Sequence, residues 1–158
     1  QAIDALNAVS ASLERLKAEM QALAAQLPEY PVVMAMHGVG DSLGPQLMAE
    51  LGDVTRFTHR NAITAFADVA TGADQSGTHE AKSTRVSKSG PPELRRALFL
   101  VMDCLLKTQP QDDPVYRFMD KKRAEGKPYL VYMTAGANKF LRIYYGRVKE
   151  YLESLEEN

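Results

Sequence analysis

The sequence has 158 residues, 45% of them hydrophobic and 25% charged, which is the size and make-up of one globular domain or a domain with an arm. Nineteen Lys and Arg against 20 Asp and Glu leave a net charge of -1, so any nucleic-acid site must come from local clustering rather than bulk charge. Wholesale disorder, collagen-like repeats and a disulfide scaffold are excluded. The single cysteine, Cys104, lies in an apolar run and has no partner in the chain, which fits a reduced, cytoplasmic setting. The apolar stretch Ala97–Met102 falls far short of the roughly 20 residues that span a bilayer, so no membrane partner is expected. The chain opens at Gln1 without a signal-peptide pattern or an initiator Met, and is expected to be a fragment of something longer.

Residues 1–28 contain no Gly and are rich in Ala, Leu, Glu and Gln, all good helix formers. Leu6, Val9, Leu13, Leu16, Met20, Leu23 and Leu27 alternate spacings of three and four, the a/d seam of a coiled coil. The expected element is an arm that pairs chains or domains into a homo-oligomer and ends at Pro28. A helix packed on its own domain is the alternative. A seam of about three heptads is marginal unless it is partnered.

The remainder, 29–158, reads as one helical domain, which makes the fold class all-α. In 31–70 an apolar run is broken at His37-Gly38-Val39-Gly40. Asp41 or Ser42 can then cap a helix that Gly52 terminates. Thr58 is the expected cap of the next helix, with Ala62, Ile63, Phe66 and Val69 on its apolar face. The stretch 71–92 changes character: glycines, serines and threonines replace large apolar residues, as in a long functional loop. Helices follow over 93–156. The first has core positions Leu94, Ala97, Leu98, Val101 and Leu105. The second starts at Pro110 and Pro114, carries Val115, Phe118 and Met119, and is closed by Gly126. The last opens at Pro128 and carries Leu130, Met133, Ala137, Phe140, Leu141, Tyr144, Val148 and Leu152.

Three constellations bear on chemistry. The turn around Gly38 and Gly40, followed by a capped helix, has the form of a helix-hairpin-helix element. Its glycines would let the backbone approach a phosphate, and the next helix start would donate N–H groups to it. A turn that merely needs glycines reads the same way. Ser76, just before Gly77 in the loop Asp74–His79, is the candidate nucleophile; Lys82, Arg85 and Lys88 would hold a phosphate beside it, and His79 is a candidate base. A plain Ser-Gly turn would leave the same trace. Between Glu80 and Arg96 five basic residues face two acids, and Arg95 and Arg96 lie in the first turn of a helix, where cations oppose the helix dipole. An anion such as a nucleic-acid backbone would justify that placement, and a solvated charged face is the alternative. No zinc-binding spacing surrounds His37 or His59. Lys121, Lys122 and Arg123 read as a solvated face, and Tyr129, Tyr132, Tyr144 and Tyr145 as packing residues.

In order and spacing, His37–Gly40, Ala49–Asp53, Arg56-Phe57, Gln75–Gly77, Arg85–Lys88, Gly90, Leu94–Leu98, Tyr116, Gly126–Pro128 and Lys139–Ile143 resemble one family over roughly residues 30–150. It is the C-terminal transposase domain of the IS116/IS110/IS902-type insertion-sequence transposases, a group that includes Piv-type DNA invertases and bridge-RNA-guided recombinases. The resemblance implies a preceding RuvC-like domain whose acids bind Mg²⁺, joined by a coiled-coil linker. No cofactor or metal ligand is expected within this chain itself. It implies that Ser76 cleaves DNA through a covalent phosphoserine link. It also implies that Arg85, Ser87, Lys88, Arg95 and Arg96 contact DNA or a structured guide RNA. The isolated chain would then be inactive. The other function considered is a non-catalytic nucleic-acid-binding and oligomerisation module, with all chemistry in the RuvC-like domain. Where the family commonly has Tyr-Ala-Gly-Leu and then Pro, this chain has Phe66-Ala67-Asp68-Val69 and then Thr71.

Overall fold

The computed structural model describes residues 1–69 and 90–158. Among these the regular structure is helical: α1 (Ala2–Ala24), α2 (Tyr30–Met34), α3 (Leu43–Leu51), a 3₁₀ turn (Val54–Arg56), α4 (Arg60–Phe66), α5 (Pro92–Thr108), α6 (Pro114–Ala124) and α7 (Tyr129–Glu156). The all-α expectation holds. No described helix is long and apolar enough to cross a membrane.

The long C-terminal helix α7 is the spine, and α2, α4, α5 and α6 all pack on it, while α3 lies on α5. Its stripe Met133, Ala137, Phe140, Leu141, Tyr144 and Val148 is buried, as the spacing predicts. So are Leu94, Ala97, Leu98, Val101 and Leu105 of α5, a full i, i+3, i+4, i+7 face. Gly136 was not anticipated. A Cβ there would stand 2.5 Å from Met119 Sδ and 3.0 Å from Met102 Sδ, so its missing side chain lets α7 close on α5 and α6. Burial pushes the Tyr144 phenol well above its usual pKa, and the Tyr145 hydroxyl donates to the Phe57 carbonyl at 3.1 Å. Both tyrosines are packing residues.

Local chemistry sets the boundaries. Asp113 accepts from the Tyr116 N–H at 2.8 Å and caps α6. Gly52, at φ 65, ends α3. Three expectations are corrected. Helix α1 stops at Ala24, before Leu27, because the residues leading into Pro28 tighten into turns, Gln26 N–H to Leu23 O and Leu27 N–H to Ala24 O. The cap of α4 is His59, whose Nδ1 accepts from the Asn61 N–H at 3.2 Å, rather than Thr58. Leu130 is 67% exposed, with Tyr129 and Val131 also outside, because the core contact of α7 begins one turn later at Met133.

Arg56 ties the α3–α4 junction together. Its guanidinium donates twice to the Leu51 carbonyl, at 2.8 and 3.2 Å, satisfying an orphan group at the end of α3. It also lies 4.4 Å from the Phe57 ring centroid and 4.7 Å from that of Phe66. Arg56→Ala removes a charge-assisted hydrogen bond and the ring contacts, and is expected to cost about 2 kcal/mol. Urea denaturation checks this as a lower midpoint with an unchanged slope.

The arm behaves differently from the body. Its last turn meets α3 and buries Ala24, but Leu6, Val9, Leu13, Leu16 and Leu23 are all 49% or more exposed. A continuous apolar stripe therefore faces away from the chain's own core.

Candidate nucleic-acid and catalytic site

The segment that carries Ser76, His79, Lys82, Arg85, Ser87 and Lys88 lies outside the described residues. What the structure describes is its base. Helix α4 ends at Phe66, and Ala67 caps it with N–H bonds back into the helix. Asp68 then takes φ 57, the left-handed conformation that glycine adopts most readily and that Asp tolerates better than most residues.

On the returning strand, Gly90 lies against that turn. A Cβ on Gly90 would stand 2.6 Å from Asp68 Cβ and 3.0 Å from both Ala67 C and Phe66 O. Only glycine permits this approach. Arg95, in the first turn of α5, reaches toward Asp68, with Nη1 4.0 Å from Oδ2, and the two side chains are only 17% and 16% exposed. Asp68 Oδ2 is closed off from solvent and has no hydrogen-bond partner among the described residues. From the other side, the Asn138 side-chain amide of α7 donates to the Val69 carbonyl at 3.1 Å. Helices α4, α5 and α7 thus hold both ends of the serine-bearing segment at one point on the body.

The sequence-predicted residues fall into three groups. Arg96 is exposed beside the base, as a backbone contact requires, whereas Arg95 is turned inward onto Asp68 and shares its charge with the clamp. Gly38 and Gly40 lie elsewhere. Gly38, at φ 81, presses on α5, where an added Cβ would sit 3.0 Å from Val101 O and Cγ1 and 3.1 Å from Leu105 Cγ. Val101 and Leu105 are six and ten residues beyond Arg95, about 9 and 15 Å along the helix axis. The Gly38 requirement is therefore one of packing. Gly40 is exposed, with open space where a side chain would stand, and lies two residues before Ser42, the N-cap of α3. His37 Nε2 lies 3.6 Å from Asp112 Oδ1 of the α5–α6 link, both side chains exposed. The remaining predicted residues are those outside the described part.

Asp68 and Asn138 went unrecognised as site residues. Asn138 leaves little signal in the sequence, a half-buried polar amide between Ala137 and Lys139 in an amphipathic helix. Among the described residues no three His, Cys, Asp or Glu side chains gather as a metal site.

The described residues thus form an all-helical body in which α4, α5 and α7 meet around Asp68, Gly90 and Asn138. Residues 30–117 match the sequence profile of the Transposase IS116/IS110/IS902 family. Over 124 residues the chain is 30% identical to the Insertion element IS110 uncharacterized 43.6 kDa protein of Streptomyces coelicolor, an alignment that covers 78% of this chain and 30% of that protein. The chain belongs to the IS116/IS110/IS902 transposase family. It spans about a third of the length of the relative it matches.

Proposed function

We propose that this chain is the nucleic-acid-binding and nucleophile-bearing part of an insertion-sequence transposase, with Ser76 as the group that attacks DNA. The observation that carries the reading is the clamp of Asp68, Gly90, Arg95 and Asn138, which fastens both ends of the Ser76 segment to the core of a chain in this family. The clamp fixes where the chain leaves the body at Val69 and rejoins it at Gly90, so the segment that carries Ser76 starts and ends beside Arg95 and Asn138.

In the proposed step the Ser76 hydroxyl loses its proton and Oγ attacks a backbone phosphorus. An Oγ–P bond forms as the P–O bond to one strand end breaks, and the departing oxygen takes up a proton to become a hydroxyl. The phosphodiester energy is kept in the phosphoserine, so the reverse attack by a strand-end hydroxyl reseals DNA without ATP. Lys82, Arg85 and Lys88 would offset charge growing on the phosphoryl oxygens. Mg²⁺, if the step uses it, would be held by acids of a RuvC-like domain outside this chain and would offset charge on the phosphoryl oxygens. Such chemistry on chromosomal DNA places the protein in the cytoplasm. The test is to trap a covalent adduct between the full-length protein and labelled DNA, then locate the nucleotide remnant by peptide mass spectrometry. A remnant on the peptide holding Ser76 supports the reading; an adduct on another residue, or cleavage without one, removes it.

Assembly is the second part of the proposal. The unburied stripe Leu6, Val9, Leu13, Leu16 and Leu23 is the seam through which chains pair, since water-exposed leucines at a/d spacing gain roughly 1.5–3 kcal/mol each on full burial. Leu13→Asp with Leu16→Asp is expected to convert an oligomer to a monomer in sedimentation equilibrium. Unchanged mass in the double variant would assign assembly to another surface. The turn at Gly40 adds a sequence-independent grip on DNA or on a structured guide RNA.

A further inference from the structure

A second cationic site lies on the face formed by α4, α6 and α7. An open cleft of about 480 Å³ is lined by Arg60 from the first turn of α4, Phe118 from α6, and Asn138, Lys139, Arg142 and Ile143 from α7. Three of these are cations, and no carboxylate lines the cleft. Among the described residues none of the three lies within 4.0 Å of an Asp or Glu oxygen. Elsewhere on this surface such pairing is common: Lys107 meets Asp103 at 2.9 Å and Arg123 meets Asp120 at 2.8 Å. The half-buried Phe118 ring carries Lys139 Nζ at 4.8 Å from its centroid; Lys122 Nζ, at 5.5 Å, is paired with Glu125 at 4.0 Å and adds no uncompensated charge.

Positive charges brought together without counter-charges repel, and packing α4 on α7 imposes that juxtaposition. An anion relieves it. Guanidinium forks bind phosphate oxygens in pairs, and a groove of several cations tracks a phosphate backbone. The position supports this further. Asn138 lines the cleft and also holds the Val69 carbonyl at the base of the Ser76 segment.

We propose that the Arg60–Lys139–Arg142 cleft binds the phosphate backbone of the nucleic-acid strand that runs toward the Ser76 segment. This rests on the nucleic-acid-binding reading above and extends it to residues outside the basic run of 80–96. The contacts are to phosphates, so binding is independent of base sequence.

The test follows fluorescence anisotropy of labelled duplex DNA, single-stranded DNA and an RNA hairpin over a salt series, using the chain and its variants. For Arg60→Gln/Lys139→Gln/Arg142→Gln, the slope of log K against log salt is expected to become shallower by about 2–3 on duplex and about 2 on a single strand. The exposed Arg142→Gln alone is expected to change the slope by up to about 1, and cannot unfold the core. Far-ultraviolet circular dichroism shows whether the triple variant keeps its helices. The strand type that loses slope identifies whether the cleft serves DNA or RNA. A parallel variant, Lys82→Gln/Arg85→Gln/Lys88→Gln, separates the two ideas. If it loses slope while both cleft variants keep the wild-type slope, the cleft proposal is overturned and the DNA-binding reading stands. If the wild-type chain shows no salt-dependent binding to any of the three probes, both fall.

Discussion

Ser76→Ala in the full-length protein is expected to abolish the covalent protein–DNA adduct and strand cleavage while leaving nucleic-acid binding within about twofold. Removing a serine nucleophile costs on the order of 10⁶ in rate where the hydroxyl makes the new bond itself, because no neighbouring group supplies an equivalent electron pair. A methyl group in place of the hydroxymethyl removes one oxygen and no charge, so the cations of the same segment still attract phosphate at full strength. The pairing of lost chemistry with kept affinity is the informative result. A denaturing gel with labelled DNA and Mg²⁺, with and without the guide RNA proposed above, shows the adduct; anisotropy with the same DNA shows the affinity. Equal cleavage by both proteins would move the chemistry outside this chain and leave it as a binding and assembly module. Loss of binding together with cleavage would mean that Ser76 positions the strand rather than attacking it.

The second large effect separates two glycines that look alike in sequence. Gly38→Ala is expected to destabilise the fold by about 2–4 kcal/mol. Part of this is the cost of holding alanine at positive φ, about 1–2 kcal/mol. The rest comes from a methyl group pressed to 3.0 Å from the Val101 carbonyl oxygen, a backbone atom of α5 that cannot rotate away. Gly40→Ala meets nothing within 4 Å and is expected to change stability by less than about 0.5 kcal/mol. Because Gly40 is the exposed member, the added methyl there is expected to weaken DNA binding without lowering the melting temperature. Thermal melting of the two variants side by side gives the first answer, and anisotropy with DNA the second. Equal melting of both variants would contradict the packing role of Gly38.

That pair shows what a motif can and cannot carry. His37-Gly38-Val39-Gly40 marks a tight turn between two helices, and α2 and α3 stand on either side of it. Phosphate approach and helix packing both require glycine for the same steric reason, the missing Cβ. Only the neighbour at each position tells them apart: α5 backbone at Gly38, open space at Gly40. Arg95 teaches the same lesson. A cation in the first turn of a helix reads as a ligand for an external anion, yet the carboxylate nearest to it is Asp68, 27 residues earlier in the chain. Arg96, one residue on, faces solvent because a helix turns about 100° per residue.

The helices and their buried faces were legible from residue order because they rest on short-range physics. Periodicity of 3.6 marks the stripes of α5 and α7, Pro114 and Pro128 open helices, and Gly52 closes one. Family resemblance was legible for a related reason: it lies in the spacing of short motifs along the chain. Tertiary packing decided the rest. It set Gly90 on Asp68, brought Asn138 to the Val69 carbonyl 69 residues away, and gathered Arg60 with Lys139 and Arg142 in one cleft. Each of these contacts depends on which helix faces meet and at what height, a property of the assembled core that no local run of residues encodes.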